Sequence, residues 1–348
     1  MSTVSDPTDI KLLELLQVSV PVTERPFEDI GRQIGISEEQ TLASIQRLKT
    51  AKVIRQISAI FDTRSLGYAS SLVAAQVDPA RVDEAAAIIS RHPGVSHNYL
   101  RNHTFNLWYT IAVSPLSKLG LEKTVELLHR QSGAISTRLL PTLKLFKIGV
   151  KFDLGGDSRP DDLDAPSYTE KSHAKDTALT AAEIEFVRML QRDLPITPTP
   201  FVDYAKGLGL TLPALQAMHR RFLDSGKMRR FAAVLHHRQA GFSANAMGIW
   251  AVPGDDAEIE RVGALMAGFR AVSHCYRRPS YPDWPYNIFT MVHGKSAEEC
   301  DQTLAAIAEK TGIRDHDALY STKEYKKVRV RYFTLDEEAW ERQHARDL

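Results

Sequence analysis

The chain has 348 residues, 25% of them charged and 43% apolar, with a formal net charge of +1. That is ordinary globular composition: no apolar run approaches the roughly 20 residues of a membrane span, and a near-zero net charge gives no general attraction to nucleic-acid phosphates. Two cysteines, Cys275 and Cys300, offer no disulfide framework, and the start MSTVSDPTDI has no basic region followed by an apolar core, so a cytoplasmic location without membrane partners is expected.

Taken in chain order, Ile10 to Leu16 places apolar residues at helical spacing behind Asp6 and Asp9, which can cap a helix start. A second helix is expected from Phe27, a turn at Gly35, and a third helix opened by Ser37 with Glu38 and Glu39 in its first turn. This is helix-turn-helix spacing. Val53 to Phe61 then alternates as strands do and predicts a β wing. Beyond it, strands are expected near 69–77, 95–101, 106–113 and 137–148, with helices near 80–91 and 117–131. That order belongs to a ferredoxin-like sandwich. Gly155 to Asp176, rich in Gly, Asp, Ser and Pro, reads as a linker.

The pattern then starts again. Residues 10–68 realign without a gap on 184–242, so that Ile10, Pro21, Phe27, Asp29, Gly35, Arg47, Arg55, Arg64 and Gly67 recur as Ile184, Pro195, Phe201, Asp203, Gly209, Arg221, Arg229, Arg238 and Gly241. Thr211 takes the place of Ser37, and Met228 to Leu235 forms the second wing. Strands follow near 243–252, 271–278, 286–293 and 316–332, with helices near 256–267 and 296–309. The fold class is therefore α+β: a tandem duplication of a winged helix-turn-helix (1–68 and 179–242) and a ferredoxin-like βαββαβ domain (69–154 and 243–348), joined by a linker over 155–178. The two halves are expected to pair as a heterodimer made within one chain. Copy two differs chiefly where Pro279-Ser280-Tyr281-Pro282-Asp283-Trp284-Pro285 replaces the short turn Asn102-His103-Thr104.

The echo extends to ionisable residues. Val95-Ser96-His97-Asn98-Tyr99-Leu100-Arg101 matches Val272-Ser273-His274-Cys275-Tyr276-Arg277-Arg278, a shared V-S-H-x-Y-x-R. Period-2 geometry puts His, Tyr and Arg on one sheet face and Ser96 or Ser273 on the other. Such a face joins a group titrating near neutrality, a phenol and a fixed cation. Duplication alone preserves structural residues equally well, so recurrence by itself does not separate the two roles. No zinc-type Cys/His spacing, glycine-rich phosphate loop or G-x-S-x-G elbow occurs.

A winged helix-turn-helix followed by a ferredoxin-like domain resembles the leucine-responsive/asparagine-responsive regulators. The details resemble an enzyme branch of that architecture, the siroheme decarboxylases, which occur as two related subunits or as one fused chain. Ile57 to Tyr68 is similar to one subunit type; Met228 to Arg238, Ser273 to Pro279 and the tail Tyr320 to Lys327 are similar to the other. Copy one departs in having Gln56 where copy two has Arg230.

The resemblance implies removal of carbon dioxide from two acetate side chains of siroheme, in alternative haem or denitrification-haem biosynthesis, with no cofactor beyond the iron-tetrapyrrole substrate. His97 and His274 become the expected proton donors, and His97, His237 or His274 the alternative axial ligand to the iron. Arg55, Arg101, Arg229, Arg230 and Arg278, with Tyr99 and Tyr276, become the expected substrate-binding set; Arg64 and Arg238 are further candidates, because a planar guanidinium holds a carboxylate in two-point fashion. His103, His236, His237 and His293 compete with the chosen histidines. Lys326 and Lys327 read as the exposed face of a strand, and Tyr281 and Trp284 either stack on the macrocycle or pin a loop. A ligand-sensing regulator and a non-catalytic haem-binding protein are the competing classes. No specific DNA binding is expected, because Glu38-Glu39 and Pro213 occupy the helix ends that would meet bases. Further self-association is left open.

Overall fold

The computed structural model describes residues 6–148, 177–235 and 244–344. Copy one opens with α1 (Pro7–Val18), α2 (Pro26–Ile34), α3 (Glu38–Thr50) and strand β1 (Ile54–Phe61). Ser37 and Gln40 close a capping box on α3, and Gly35 ends α2 at φ 76°, a left-handed turn that a Cβ would strain. Copy one continues as β2 (Ala69–Gln76), α4 (Val82–Ser90), β3 (Val95–Arg101), β4 (Leu107–Val113), α5 (Gly120–Ser132), β5 (Ser136–Leu140) and β6 (Lys144–Ile148). Copy two repeats the pattern as α6 (Ala181–Leu190), α7 (Pro200–Gly207), α8 (Leu212–Asp224), β7 (Met228–Leu235), β8 (Ala244–Trp250), α9 (Asp256–Ala267), β9 (Val272–Arg277), β10 (Ile288–Gly294), α10 (Ala297–Thr311) and β11 (His316–Lys327), then adds α11 (Leu335–His344).

The two wings are one ribbon. β1 pairs antiparallel with β7, from Ile54 opposite Leu235 to Phe61 opposite Met228. Each strand thus satisfies the other's backbone groups. Around the ribbon, Leu12, Leu16, Phe27, Ile45 and Ile57 of copy one share a core with Phe186, Leu190, Phe201, Leu215 and Phe222 of copy two.

The ferredoxin-like halves form one sheet in the order β5-β2-β4-β3-β11-β8-β10-β9-β6. The expected single strand over 137–148 is broken, because Pro141 has no N–H to continue a ladder. β5 stays on β2 of its own copy, whereas β6 crosses to β9 of copy two. β11 makes the reciprocal crossing unbroken: His316 to Tyr320 pair with β8, and Ser321 to Lys327 pair with β3 of copy one. It ends at Lys327, short of the expected 332. Helices cover one face of each half. Asn98 of β3 donates to the Ala86 carbonyl of α4, and the Cys275 thiol of β9 donates to the Gly263 carbonyl of α9. The opposite faces share a core of Ala74, Phe105, Trp108 and Leu140 with Met247, Ile249, Trp284, Phe289 and Leu319.

The copy-two insertion belongs to that core. Trp284 is 0% exposed, edge-on to Phe105, Trp108, His103 and Tyr286. Tyr281 donates to the Leu139 carbonyl at 2.5 Å and Asp283 pairs with Arg138 at 2.6 Å, covering edge strand β5. Trp284 has no open face, so the insertion pins a loop rather than stacking on a ligand. The unanticipated α11 folds back on copy one: Trp340 joins its helical-side core, and Glu341 accepts the Lys118 and Leu119 N–H groups at the start of α5. Among the described residues no helix is long and apolar enough to cross a membrane.

Candidate active site

Each V-S-H-x-Y-x-R segment makes a row of side chains on β3 or β9. The His97 and Tyr99 rings stack with centroids 6.1 Å apart, and the Arg101 guanidinium lies 6.0 Å from the Tyr99 ring. In copy two the same distances are 6.1 Å for His274 and Tyr276 and 4.8 Å for Arg278 over Tyr276. The shared face read from period-2 alternation is present in both copies.

The serines depart from that alternation. In copy one Val95 faces Ile111 and His97 faces Thr110, leaving Ser96 as an extra residue; in copy two Ser273 is the extra residue between the Val272–Val292 and His274–Met291 pairs. A β-bulge aims two consecutive side chains at one region. Ser96 Oγ therefore lies 3.0 Å from His97 Nδ1, with Thr110 Oγ1 at 3.3 Å, and Ser273 Oγ lies 2.8 Å from His274 Nδ1. In both rings Nδ1 is engaged, and no described residue hydrogen-bonds Nε2. Burial lowers the His97 pKa, Lys327 and Arg55 adding to the effect and Glu324 opposing it. Burial, with His293 adding, pulls His274 down to about 4. Both imidazoles are neutral at physiological pH.

The row-ending arginines are buried, Arg101 at 8% and Arg278 at 9% exposure. Arg101 Nη1 donates to the Leu319 carbonyl of copy two at 2.8 Å, and Arg278 Nη1 donates to the Leu140 carbonyl of copy one. Both Nε groups are buried without a partner. Burial pulls each guanidinium down to about 10. These are cations inside the shared core with one carbonyl apiece and no described carboxylate.

Next to the His97 end of its row is a cavity of about 760 Å³, within the size range of cofactor sites. Its walls are β1 (Arg55, Gln56), α6 (Glu185, Arg188), the turn after it (Arg192, Asp193) and the segment after β11 (Arg329, Arg331, Tyr332); Asp193 is paired with Lys49. Val328, also in the wall, donates to the Ser96 carbonyl at 2.8 Å, which ties the cavity to the bulge beside His97. Arg188 is paired with Glu185 at 2.5 Å. Arg55, Arg192, Arg329 and Arg331 have no carboxylate partner among the described residues. Burial and the nearby Arg55 charge pull Arg329 below its ordinary value. Such a wall suits a ligand with several carboxylates.

Of the described arginines singled out from sequence, only Arg55 lines this cavity. Arg229 is paired with Asp62 of copy one at 2.7 Å, and Arg230 is exposed on β7. Arg64, in the turn after β1, is close enough to Arg278 to repel its charge. Lys326 donates to the Ser90 carbonyl at 2.6 Å, and Lys327 pairs with Glu324 at 3.8 Å. His103 Nδ1 accepts the Phe105 N–H at 3.0 Å and serves the loop. His236, His237 and Arg238, and the stretch after Ile148 that follows β6 as 328–335 follows β11, lie outside the described residues. Sequence reasoning missed Arg188, Arg192, Arg329 and Arg331. The signal for two of them is the alternation Val328-Arg329-Val330-Arg331, which the strand expected over 316–332 covers.

Comparisons with known proteins agree with this layout. An AsnC-like ligand binding domain matches residues 65–147 and again 239–326, and a siroheme decarboxylase NirDL-like HTH domain matches 9–55. The siroheme decarboxylase of Hydrogenobacter thermophilus is 39% identical over 331 residues, spanning 95% of this chain and 96% of that protein. The siroheme decarboxylase beta subunit of Methanosarcina barkeri is 45% identical over 149 residues, 43% of this chain and 97% of the subunit. The crystal structure of the siroheme decarboxylase NirDL in co-complex with an iron-uroporphyrin III analogue matches with a TM-score of 0.78 at 33% identity, covering 98% of this chain and 99% of that one.

Proposed function

The chain belongs to the siroheme decarboxylase family, and we propose that it removes carbon dioxide from two acetate side chains of siroheme, leaving methyl groups in didecarboxysiroheme. The observation that carries the reading is the cavity beside His97, whose wall holds four arginines without a described carboxylate partner. A tetrapyrrole bearing many carboxylates is the complement of that wall.

The chemistry sets different demands on the two ends of the substrate. When the carbon–carboxylate bond of an acetate breaks, its electron pair stays on the CH₂ carbon and spreads into the macrocycle, and one proton must then close the methyl group. Gripping the reacting carboxylate with a cation would stabilise the ground state and raise the barrier. The arginines of the cavity hold the non-reacting carboxylates; a neutral imidazole serves the reacting one. His97 and His274 fit that role, because Nδ1 is occupied by a hydroxyl and Nε2 has no described hydrogen-bond partner, so an Nε2–H can be directed at carbon. Tyr99 and Tyr276 stand between each histidine and its buried arginine, which keeps the cation away from the reacting end.

Iron enters with the substrate, and the scheme calls for no further cofactor. It calls for no DNA either: Glu38 is ion-paired with Arg25, and Gln216 of α8 donates to the Val22 carbonyl of copy one at 2.9 Å, tying that helix to the other copy. The test is anaerobic incubation of the purified chain with siroheme alone, followed by mass analysis. Loss of two carboxyl groups as carbon dioxide is expected; unchanged siroheme with folded protein would refute the reading.

A further inference from the structure

Behind His274 stands a second histidine. Ser273 Oγ lies 2.8 Å from His274 Nδ1 and 2.8 Å from His293 Nε2, with the Met291 carbonyl at 3.2 Å as a third neighbour. The bulge in β9 turns Ser273 toward His274, and His293, half-buried near the end of β10, closes the group from the adjacent strand. A hydroxyl can accept from one imidazole while donating to the other. It therefore connects the two rings for proton transfer.

Among the described residues copy one has no such chain. His293 N–H donates to the Ala271 carbonyl, and the residue in the matching position, whose N–H donates to the Gly94 carbonyl, is Ala112. Ser96 Oγ instead meets Thr110 Oγ1 at 2.8 Å. The two histidine sites have the same front and different backs.

We propose that His293 resupplies the proton that His274 delivers to substrate, through the Ser273 hydroxyl, and that the described residues of the copy-one site form no equivalent device. The inference rests on the reading of His274 as proton donor. In the step, the carbon–carboxylate bond has broken and its electron pair is held on the side-chain carbon and the macrocycle. His274 Nε2–H passes its proton to that carbon, forming the third C–H bond of the methyl group. Ser273 Oγ–H passes its proton to His274 Nδ1, and His293, kept neutral by burial, passes its Nε2 proton to Ser273 Oγ as its ring takes one up from solvent. His274 ends the step neutral with its tautomer exchanged; after product leaves, a proton taken up from solvent at Nε2 and one released at the His293 end restore the starting tautomers, so one net proton from solvent balances each carbon dioxide released. A neutral imidazole thus acts as an acid without ever forming an imidazolate. His293 touches no substrate in this scheme and acts only through His274.

The test follows siroheme and its singly and doubly decarboxylated products by mass, with the full chain under anaerobic conditions. His293→Gln keeps an N–H that can donate to Ser273 but cannot relay a proton; Ser273→Ala breaks the chain at its centre. We expect each of these and His293→Ala to slow one of the two decarboxylations by about 10²-fold, with singly decarboxylated product accumulating and siroheme affinity within about twofold of wild type. Added imidazole is expected to restore rate to His293→Ala. Wild-type turnover in His293→Gln alongside a slow His274→Ala overturns the relay and leaves the role of His274 standing. A defect in His293→Ala that His293→Gln repairs and imidazole does not marks a structural histidine and also overturns it. His274→Ala at the wild-type rate overturns both.

Discussion

Arg329→Met isolates the contribution of the cavity wall. In the free protein Arg329 has a single distant hydrogen bond, to Ser58 Oγ at 3.4 Å, no described carboxylate partner, and a guanidinium held below its ordinary value by burial and by Arg55. Its charge is under-compensated, so replacing it by a side chain of similar length should change unfolding free energy by no more than about 0.5 kcal/mol. With siroheme present, the same substitution removes a charge-assisted bond to a carboxylate, about 1.5–3 kcal/mol, which is roughly 10- to 100-fold in Kd. Because that carboxylate does not react, the loss should fall on KM and leave kcat within about threefold. Arg329→Lys should recover only part of the affinity, since a point charge does not reproduce the planar fork. Anaerobic titration of siroheme absorbance gives Kd, product mass gives kcat, and urea midpoints give stability. Unchanged Kd in Arg329→Met, or a large fall in the urea midpoint with binding intact, would show that the wall is structural and that siroheme binds elsewhere.

Other perturbations address the remaining parts. His97→Ala and His274→Ala should each cut turnover by about 10²–10⁴-fold with siroheme still bound, measured by product mass and absorbance; loss of the bound iron spectrum instead would identify axial ligation. Trp284→Ala empties the centre of the shared core and should cost roughly 3–5 kcal/mol in urea unfolding. Glu337, which accepts the Ser114 N–H at 2.8 Å, is raised to about 7 by burial, with Glu341 and Glu338 adding. An acid raised on folding binds its proton more tightly in the native state, so stability should fall by roughly 2 kcal/mol as pH rises from about 5 to 8, and Glu337→Gln should flatten that slope.

What was legible in the sequence follows from how local each cause is. The His-Tyr-Arg rows depend only on alternation along one strand, and they formed as read. The serines did not, because one inserted residue per strand reverses the face and no composition marks a bulge. The strand crossings were invisible for a different reason: Ser321 leaves copy two and joins copy one without any local interruption, and only Pro141 betrayed the matching break. α11 carried readable signals, Asp336 and Glu337 in its first turn and Trp340 on one side, but the strand extended over 316–332 obscured them. The cavity was the least legible part, since β1, α6 and the 328–335 segment meet only in the folded chain.

Fusion explains why the backs of the two sites can differ. In a symmetric dimer of identical chains, any residue placed behind one histidine is placed behind the other. Here Ala112 and His293 occupy equivalent positions on separate copies of the sequence, so one site can retain a buried apolar wall while the other gains a titratable partner. Two acetates leave in succession, and after the first departs the macrocycle presents an altered edge for the second. A chain whose halves share the proton-donating row but not its supply can treat the two steps differently. The arginine cavity beside His97 then holds the unreacted carboxylates, each row delivers its own proton, and only the His274 row is backed by a second histidine among the described residues.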